Sequence, residues 1–374
     1  MLQPYDTIII GAGIAGSATA HALTQKNQKV LVLDKNGIAS GGSGAAGAFV
    51  SPKIGKGSTL QTLTNEAFSF AKDFYLANCP DSFHQTGVIR IPKDEEDAKQ
   101  FSAYAPFNEN RYELYTKEQL HAQGICCDFE SFYFPEAGDC DAKEVCEVLL
   151  SNIDVVQYDV KNIRQEEGIW HVGAYSAKNL VLATGYESDL ADLRYMGIKG
   201  TWGTRGDFSS DMELKVSMHQ AMSIGANMNG IIKLGATHEK EVRQVQPCSE
   251  KQALTLKTKA SALIDTSDLK LKEVFCGMRS GSKDYFPLAG KVIDVPAMLE
   301  TFPAIVRGAK PELMYIENLY ICNGLGGRGF VFAPFMAKEL AECIVEGREV
   351  DSRVSPDRLF LKWCRKSEEL YFLR

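Results

Sequence analysis

Residues 6–34 read DTIIIGAGIAGSATAHALTQKNQKVLVLD, and this stretch decides the fold of the chain. An apolar run at 7–10 leads into a glycine-rich turn, and a helix-forming stretch follows at 17–26. A second apolar run, 30–33, ends at Asp34. A strand, a glycine turn, a helix and a second strand with an acidic tip form the βαβ unit that binds the pyrophosphate of a dinucleotide. The alternative is a chance glycine-rich turn, which the full βαβ context disfavours.

Three glycines of this unit have separate physical roles. Gly11 permits the tight turn, Gly13 lets a pyrophosphate approach the backbone, and Gly16 lets the helix pack against the strand. The helix N-terminus offers free amides and a positive dipole end to the phosphates. Asp34 is placed to accept hydrogen bonds from ribose hydroxyls, which favours FAD or NAD over NADP. The residues predicted to bind the cofactor here are Gly11, Gly13, Ile14, Ala15, Gly16, Asp34 and Lys35.

Two further segments are expected to contact the same nucleotide. Residues 34–58 are rich in glycine, serine and alanine, which is typical of a flexible linker or of a backbone-dense ligand loop. Their place directly after the second strand favours the ligand loop. A buried strand predicted at 178–182 ends in Ala-Thr-Gly, a turn that meets the nucleotide in a doubly wound sheet. The predicted contacts are Ser40, Ser43, Gly44, Gly47, Ala48, Ala183, Thr184 and Gly185.

A second glycine cluster, GLGGRG at 324–329, lies between a predicted strand and a predicted helix. It fits the spacing of a dinucleotide motif, but too little chain follows to complete a second nucleotide fold. We interpret it as a loop at a helix N-terminus that approaches the flavin ring and stabilises the negative charge of reduced flavin. The alternative is a plain helix-start turn. The residues concerned are Gly324, Gly326, Gly327, Arg328 and Gly329.

Composition places the chain among ordinary globular proteins. Its 374 residues suffice for two domains, and 45% hydrophobic with 24% charged residues is typical of a soluble protein. The net charge of −7 counts against nucleic-acid binding, although it does not exclude a local basic patch. No apolar segment has membrane-spanning length, and the first residues do not resemble a signal peptide. We therefore expect a cytoplasmic protein without a targeting extension or membrane contact.

The ten cysteines form no CxxC pair, and no Cys/His cluster has the spacing of a zinc site. Reduced structural thiols are the expected state in a cytoplasmic protein. We predict no metal site.

The segment GMRSGSKDYFPLAG at 277–290 completes a pattern with the glycine motifs above. Together they resemble the D-amino-acid oxidase-like family of FAD enzymes, and the resemblance covers nearly the whole chain. It implies an α/β fold: a Rossmann-like FAD-binding domain with an inserted α+β substrate domain built on a mostly antiparallel sheet. We expect the FAD-binding domain to be discontinuous, at 1–79, 136–192 and 272–374. The substrate domain would then comprise 80–135 and 193–271.

Within that family the chain looks most similar to the FAD-dependent oxidoreductase domain of MnmC-type tRNA-modifying enzymes. The similarity is carried by GAAGAFVSP at 44–52 with residues 65–75, by 277–290, and by GLGGRGFVFAPFMAKELA at 324–341. It implies FAD as cofactor and oxidative removal of the carboxymethyl group from 5-carboxymethylaminomethyluridine at the tRNA wobble position. The products would be the 5-aminomethyl nucleoside and glyoxylate. Because the chain starts at the FAD motif, we expect a methyltransferase acting on the product to be a separate partner.

The expected mechanism is hydride transfer from the glycine-like carbon to the flavin, hydrolysis of the imine, and reoxidation by oxygen. Arg279 is predicted to bind the substrate carboxylate, since its guanidinium offers a planar fork of two donors. A structural ion pair with a nearby Asp is the alternative. Tyr285 is predicted to line the pocket or simply to pack, and His238 to line it or to lie on the surface. Asp284 is expected to fix local backbone. Arg328 would contact flavin, substrate or solvent.

Basic residues are the candidate contacts for tRNA. The tail RLFLKWCRKSEELYFLR at 358–374 interleaves basic and aromatic residues, which suits phosphate contact and base stacking. A closing amphipathic helix with solvated charges is the alternative. The candidates are Lys53, Lys56, Arg205, Arg307, Lys310, Lys362, Arg365 and Lys366.

Three other functions compete with tRNA modification. A small-molecule glycine, sarcosine or D-amino-acid oxidase would act on free N-alkyl glycines or amino acids. An NAD(P)H-dependent flavin reductase needs a second complete dinucleotide motif, which the sequence lacks. A non-enzymatic flavin scaffold has no need of a carboxylate-binding residue such as Arg279.

Overall fold

A computed structural model describes residues 5–187, 189–242 and 244–373 of the chain. Residues 1–4 of the predicted FAD-binding domain and Arg374 of the basic tail lie outside these ranges. The strands described are β1 Tyr5–Ile10, β2 Val30–Asp34, β3 Phe49–Val50, β4 Phe83–His84, β5 Val88–Arg90, β6 Glu113–Tyr115, β7 Ser131–Phe134, β8 Gly138–Cys140, β9 Asp154–Gln157, β10 Arg164–Glu166, β11 Ile169–Val172, β12 Tyr175–Leu182, β13 Lys199–Ser209, β14 Ser217–His219, β15 Ser223–Ile224, β16 Ile231–Gly235, β17 Lys270–Gly281, β18 Leu288–Ile293 and β19 Tyr315–Asn323. The helices are α1 Ile14–Thr24, α2 Thr59–Asn78, α3 Glu95–Ser102, α4 Lys117–Ala122, α5 Ala142–Leu149, α6 Glu250–Ala260, α7 Val295–Thr301, α8 Gly329–Glu346 and α9 Asp357–Lys366.

The first main sheet is built around β1, which lies between β2 and β12 and is parallel to both. Strand β9 extends the parallel order beyond β2, and β19 pairs in parallel with the C-terminal part of β12. The apolar runs found in the sequence are buried in β1 and β2, as expected for strands covered on both faces. Helices α1 and α8 pack against each other beside this sheet. The predicted doubly wound sheet is confirmed.

The second main sheet has the order β17-β13-β16-β15-β14-β5-β7-β6. Every neighbouring pair in it is antiparallel except β14 with β5. Helix α6 contacts β13, β16 and β17 and covers part of this sheet. The expected mostly antiparallel sheet is therefore confirmed. The domain boundaries stay a prediction, and the one placed at 272 falls inside β17 of this sheet.

Local signals predicted several helices well. Helix α2 begins one residue after Ser58, whose side chain accepts a hydrogen bond from the amide of Gln61 at 3.2 Å. Helix α6 was not expected, because 193–271 reads as short strands and loops. Its buried residues, Ala253, Leu256 and Ala260, recur at helical spacing within an otherwise polar stretch. That spacing is the signal that was missed.

The expectation that all ten cysteines are reduced thiols is wrong for one pair. Cys248 and Cys276 form a disulfide, with their Cα atoms 5.6 Å apart. The bond joins the segment before α6 to strand β17, which are 28 residues apart in sequence. Sequence spacing could not reveal this pairing, because a disulfide depends on the approach of distant backbone segments.

Candidate active site

A cavity of about 1080 Å³ is lined by residues from both main sheets. The carboxyl ends of β1 and β12 border it, and so do residues of β5, β14 and β17. All segments predicted to bind the dinucleotide meet here, as expected at the C-terminal edge of a parallel sheet. The predicted residues that line the cavity are Gly11, Gly13, Ile14, Ala15, Asp34, Lys35, Ser40, Ser43, Gly47, Ala48, Ala183, Thr184, Gly185, Gly324, Gly326, Gly327, Arg328 and Gly329.

Two of the predicted cofactor-binding glycines, Gly16 and Gly44, do not line the cavity. A Cβ on Gly16 would lie 1.8 Å from the carbonyl oxygen of Gly11, and one on Gly44 would lie 2.2 Å from that of Ala39. Both residues therefore serve backbone packing. For Gly16 this is the helix-packing role predicted for it, whereas the predicted cofactor contact of Gly44 stays a prediction.

The glycine turn is held by its contact with the neighbouring strand end. Gly11 has φ +112°, and a Cβ there would lie 2.3 Å from the carbonyl oxygen of Ala183. A side chain at this position would push apart β1 and β12 where both face the cavity. The turn after β1 and the Ala-Thr-Gly turn after β12 thus depend on each other.

Helix α1 points its N-terminus into the cavity, and Ser43 lies against it. The Ser43 side-chain oxygen accepts a hydrogen bond from the amide of Ile14 at 2.9 Å. A Cβ on Gly13 would lie 2.9 Å from the same oxygen, so the glycine leaves room for the serine. The ligand loop therefore reaches the start of α1, where amides and the helix dipole favour phosphate.

Asp34 is oriented by backbone amides. Its Oδ1 accepts from the amides of Asn36 and Gly37 at 2.9 and 3.0 Å, and its Oδ2 accepts from that of Ala12 at 2.8 Å. A carboxylate has about four lone-pair positions, so Oδ2 keeps one for a further donor. The predicted ribose contact can be made through Oδ2.

Lys35 borders the cavity, but its ammonium group is already paired. It forms an ion pair with Glu187, and that hydrogen bond raises the pKa of Lys35. Both side chains are more than a third exposed. Lys35 therefore closes the cavity edge with Glu187, and its predicted role in binding the cofactor directly stays untested.

Asn323 joins three cavity segments and was not predicted from the sequence. Its side-chain nitrogen donates to the carbonyl of Gly185 at 2.7 Å, and its Oδ1 accepts from the amide of Gly324 at 2.7 Å. Ser280 on β17 also donates to Asn323 Oδ1. The residue thus ties the Ala-Thr-Gly turn and the second glycine cluster to β17.

Arg279 lies on β17 with its guanidinium in the cavity. Its Nη1 donates to Nδ1 of His238 at 2.8 Å, and its Nη2 donates to the carbonyl of Thr237 at 3.2 Å. Room for the group comes from Gly203 on β13, where a Cβ would lie 2.3 Å from Arg279 Nη2. Within the described part of the chain Arg279 makes no ion pair with Asp or Glu at 4.0 Å or less. The alternative of a structural ion pair is therefore wrong.

The hydrogen bond from Arg279 fixes the protonation state of the His238 ring. A guanidinium has no acceptor, so His238 Nδ1 must be the accepting, unprotonated nitrogen. Burial lowers the pKa of His238, and the charges of Arg279 and Lys240 lower it further. His238 is therefore a neutral ring that positions Arg279 at the cavity wall while remaining exposed itself.

In the loop after β17, the neighbouring residues Asp284 and Tyr285 have different surroundings. Tyr285 borders the cavity, has φ +68° and is 75% exposed, so it does not serve core packing. Asp284 pairs with Arg358 at 2.9 Å and accepts from the amide of Phe286 at 3.3 Å. Burial would raise the pKa of Asp284, but the hydrogen bond and charge of Arg358 hold it below its usual range. Asp284 anchors backbone, as expected.

The sequence of the chain matches a known family. A family model described as FAD-dependent oxidoreductase (DAO) matches residues 6–343, which is most of the chain. The chain belongs to this family of FAD-dependent oxidoreductases.

Curated relatives share a name that concerns tRNA. The chain is 25% identical to the tRNA 5-methylaminomethyl-2-thiouridine biosynthesis bifunctional protein MnmC of Shewanella amazonensis, over 98% of this chain and 61% of that protein. It is also 25% identical to the protein of that name from Pseudomonas entomophila, over 96% and 60% of the two chains. This oxidoreductase thus spans about three fifths of the length of these relatives.

Solved structures share the fold. Glycine oxidase from Bacillus cereus superposes with a TM-score of 0.75 at 21% identity, covering 92% of this chain and 96% of that one. Iminodiacetate oxidase from Chelativorans sp. BNC1 gives 0.74 at 16% identity, with 94% and 98% covered. At these identities the likeness establishes the fold alone.

The residues of the oxidoreductase fit FAD. The glycine turn leaves backbone space that a Cβ would fill, and the N-terminus of α1 faces the cavity beside it. Asp34 keeps an acceptor position on Oδ2 for a ribose hydroxyl. The cavity reaches the upper end of the range for ligand pockets, so it has room for a dinucleotide together with a substrate.

Arg90 and His219 line the cavity and were missed by sequence reasoning. They lie on β5 and β14 and face each other across the parallel pair. Burial and the charges of Arg90 and Arg328 lower the pKa of His219 to about 2, so its ring is neutral. A charged residue at the end of the apolar run 88–91 was the available signal for Arg90, but the sequence does not show which neighbouring strand it faces.

Arg328 and Lys53 lie in the cavity wall. Arg328 Nη1 donates to the carbonyl of Ser51 at 3.1 Å, and burial lowers its pKa to about 10. Burial lowers the pKa of Lys53, and the charges of Arg328 and Arg90 lower it further. The alternative of a solvent-facing Arg328 is wrong. Lys53 borders the flavoprotein's cavity and does not stand on the outer surface.

Arg205, a candidate tRNA contact, is only 5% exposed. It pairs with Asp207 at 2.8 Å, lies 4.0 Å from the ring centre of Phe275, and donates to the carbonyl of Ala46. It therefore holds the ligand loop against the second sheet, and the predicted tRNA contact is wrong.

The remaining basic candidates are exposed and do not border the cavity. Three of them belong to α9, whose buried side is formed by Leu359, Phe360, Trp363 and Cys364. The amphipathic helix is confirmed, and contact with tRNA stays a prediction. The residues are Lys56, Arg307, Lys310, Lys362, Arg365 and Lys366.

No described helix combines the length and the apolar character needed to cross a membrane. In the same residues, His, Cys, Asp and Glu side chains do not gather in groups of three or more that would hold a metal ion.

Proposed function

We propose that this oxidoreductase removes the carboxymethyl group from 5-carboxymethylaminomethyluridine, with or without a 2-thio group, at the tRNA wobble position. The products are 5-aminomethyluridine and glyoxylate. The observation that carries the proposal is the position of Arg279 in the FAD cavity, with an arginine fork held by His238 and Thr237. The names of the MnmC relatives, which match almost the whole chain, support tRNA as the carrier of the substrate.

The substrate is an N-substituted glycine, so its carboxylate is one carbon away from the amine. A guanidinium has five N–H groups, and Arg279 uses one on each Nη for His238 and Thr237. The other three remain available to a carboxylate. A planar two-donor contact would fix the carboxylate and thereby the direction of the adjacent C–H bonds.

When bound, FAD supplies the two-electron oxidation. Overall, the secondary amine, dioxygen and water give the primary amine, glyoxylate and hydrogen peroxide. The substrate amine must be neutral to lose electrons, and the cations of this cavity favour that state, since nearby positive charge lowers the pKa of an amine. Arg279, Arg328 and Lys53 supply this charge. No side-chain base is then required, and the side chains bind, orient and exclude water.

The nucleoside would enter beside Tyr285. This side chain borders the cavity and is 75% exposed, which leaves its ring face accessible to a base. Stacking on aromatic rings is the usual way in which proteins hold single-stranded bases. We therefore assign Tyr285 to substrate binding and Arg279 to the reacting carboxymethyl group.

Anaerobic mixing tests the substrate directly. The FAD-loaded protein is mixed with an anticodon stem-loop that carries 5-carboxymethylaminomethyluridine, and flavin absorbance is followed. We expect rapid bleaching with this RNA and none with the same stem-loop carrying unmodified uridine. Bleaching by free sarcosine or N-ethylglycine but not by the RNA would assign a small-molecule oxidase instead. An unchanged spectrum with both would reject oxidation of N-substituted glycines altogether.

Cells provide the second test. Mass analysis of wobble nucleosides from cells lacking this chain should show accumulation of the carboxymethylaminomethyl form. A nucleoside profile identical to that of the parent would contradict the proposal.

A further inference from the structure

Three basic side chains share one wall of the cavity. Lys53 follows β3, Arg90 ends β5, and Arg328 belongs to the loop before α8. Arg328 donates to the carbonyl of Ser51, two residues before Lys53, and all three side chains line one cavity. In keeping with this, the charges of Arg328 and Arg90 lower the pKa of Lys53, and that of Arg328 lowers the pKa of Arg90. We call these three residues the basic wall.

The basic wall has few partners within the protein. Among residues 5–187, 189–242 and 244–373, no Asp or Glu oxygen lies within 4.0 Å of its nitrogens. The side chain of Arg328 donates to the carbonyl of Ser51, and the Nε of Arg90 is buried without a hydrogen-bond partner among the described residues. The charge of Asp97 acts on Arg90 from farther away and offsets part of the repulsion.

Such an arrangement is unfavourable without a counter-ion. Burial together with the charge of Arg328 lowers the pKa of Arg90 to about 9, so Arg90 is still charged at neutral pH. A buried cation without a partner carries a large desolvation penalty, and neighbouring like charges add to it. Perturbed groups of this kind in a cleft are typical of a binding site whose ligand supplies the missing charge.

Two neutral histidines, His219 and His238, line the same cavity as the basic wall and Arg279. Arg90 pairs with His219 across β5 and β14, and His238 is hydrogen-bonded to Arg279. The two cationic groups therefore face one chamber without being joined by an acidic side chain. A ligand with two negative ends would satisfy both.

We propose that Lys53, Arg90 and Arg328 form a second anion-binding site, which takes one carboxylate of a small dicarboxylic compound whose other carboxylate lies on Arg279. The proposal concerns binding and goes beyond the reaction proposed above. Arginine forks suit carboxylates, and the ammonium of Lys53 adds charge without geometric demand.

Calorimetric titration of the FAD-loaded protein tests this site without any turnover. The probes are propionate, succinate and glutarate, none of which carries an amine. We expect succinate or glutarate to bind the native protein at least tenfold more tightly than propionate. Arg90→Gln should reduce that affinity about tenfold or more and leave propionate within twofold, because propionate needs only Arg279. Arg90→Lys should recover part of the loss.

Arg164→Gln is the matched control, since Arg164 is an exposed strand residue that does not line the cavity. It should leave all three affinities unchanged. FAD content and melting temperature check folding, and Lys53→Gln gives the same test if Arg90→Gln does not fold. The proposal is overturned if neither dicarboxylate binds more tightly than propionate. It is also overturned if Arg90→Gln or Lys53→Gln lowers the affinity for all three probes equally, or for none of them. Neither result bears on tRNA oxidation, which is measured separately.

Discussion

Arg279 reaches the cavity because Gly203, on the neighbouring strand β13, has no side chain. The sequence identified Arg279 through its motif, but it gave no reason to single out Gly203, since the two are 76 residues apart and meet only through the pairing of β13 with β17. Arg205 was assigned wrongly for a related reason. Its burial depends on the ligand loop and on Phe275, neither of which is adjacent in sequence.

Arg279→Ala should keep the yellow cofactor and lose turnover. Loss of a charge-assisted contact to the carboxylate costs roughly 1.5–3 kcal/mol, which corresponds to a fall in kcat/KM of about 10- to 150-fold. Arg279→Lys keeps the charge without the fork, so its kcat/KM should lie between that of the native protein and that of Arg279→Ala. Steady-state kinetics with the modified stem-loop measure the effect, and full activity of Arg279→Ala would remove the assignment.

Gly203→Ala should displace the Arg279 guanidinium while leaving the arginine in place. The new Cβ would lie 2.3 Å from Nη2, so the fork must move. We expect Gly203→Ala to bind propionate about tenfold more weakly than the native protein does, as measured by calorimetry. Its FAD content should be normal. Gly281→Ala is the matched control, because nothing lies within 4 Å of a Cβ there. Equal affinities in the two variants would contradict the role of Gly203.

At the scale of elements, the ligand loop between β2 and β3 lies directly on β17. A Cβ on Gly42 would lie 2.5 Å from the carbonyl oxygen of Met278, whereas nothing lies within 4 Å of one on Gly41. The sequence predicted the loop from its glycine content, and it predicted α1 and α8 as helices that follow glycine-rich turns. It could not predict the surface on which the loop packs, because β17 follows more than two hundred residues later.

Neighbouring glycines therefore give a matched pair of variants. Gly42→Ala should push the loop from β17 and destabilise the holo-protein by about 1–3 kcal/mol, as overpacking does. Gly41→Ala should behave like the native protein. The ratio of flavin to protein absorbance and the melting temperature measure both effects. If the two variants lose FAD to the same extent, the loop does not depend on this contact.

At the scale of the whole molecule, two sheets enclose the cavity, and each contributes residues to it. The parallel pairing of β5 with β14 brings Arg90 beside His219 within a sheet that is otherwise antiparallel. The sequence of this region contains strand-like pieces such as 87–91, but such a piece does not by itself select a pairing partner or a direction. Arg90 escaped sequence analysis for this reason, whereas the glycine turns were found because their function is local.

The neutral His219 makes the stability of the protein depend on pH. Its pKa is about 2 in the folded chain and 6.5 in the unfolded one, so between these values only the unfolded state binds the proton. The free energy of unfolding therefore falls as the pH drops below 6.5, by at most about 1.4 kcal/mol per pH unit. Between pH 7 and pH 5, the free energy of unfolding of His219→Gln should fall by about 2 kcal/mol less than that of the native protein. Urea denaturation at the two pH values measures the difference.

His121→Gln provides the comparison, since His121 has a side chain that is 46% exposed. It should follow the native curve. An identical loss for all three proteins would show that His219 does not control this part of the acid response.

The disulfide between Cys248 and Cys276 has a mechanical consequence. Cys276 lies three residues before Arg279 on the same strand, and both line the cavity, as does Val245 on the other side of the bridge. The segment at 244–249 is thereby fastened to the strand that presents the guanidinium, and the intervening chain, including α6, is closed into a ring. A thiol reductant would open that ring beside Arg279, whereas the glycine turn after β1 lies outside the ring.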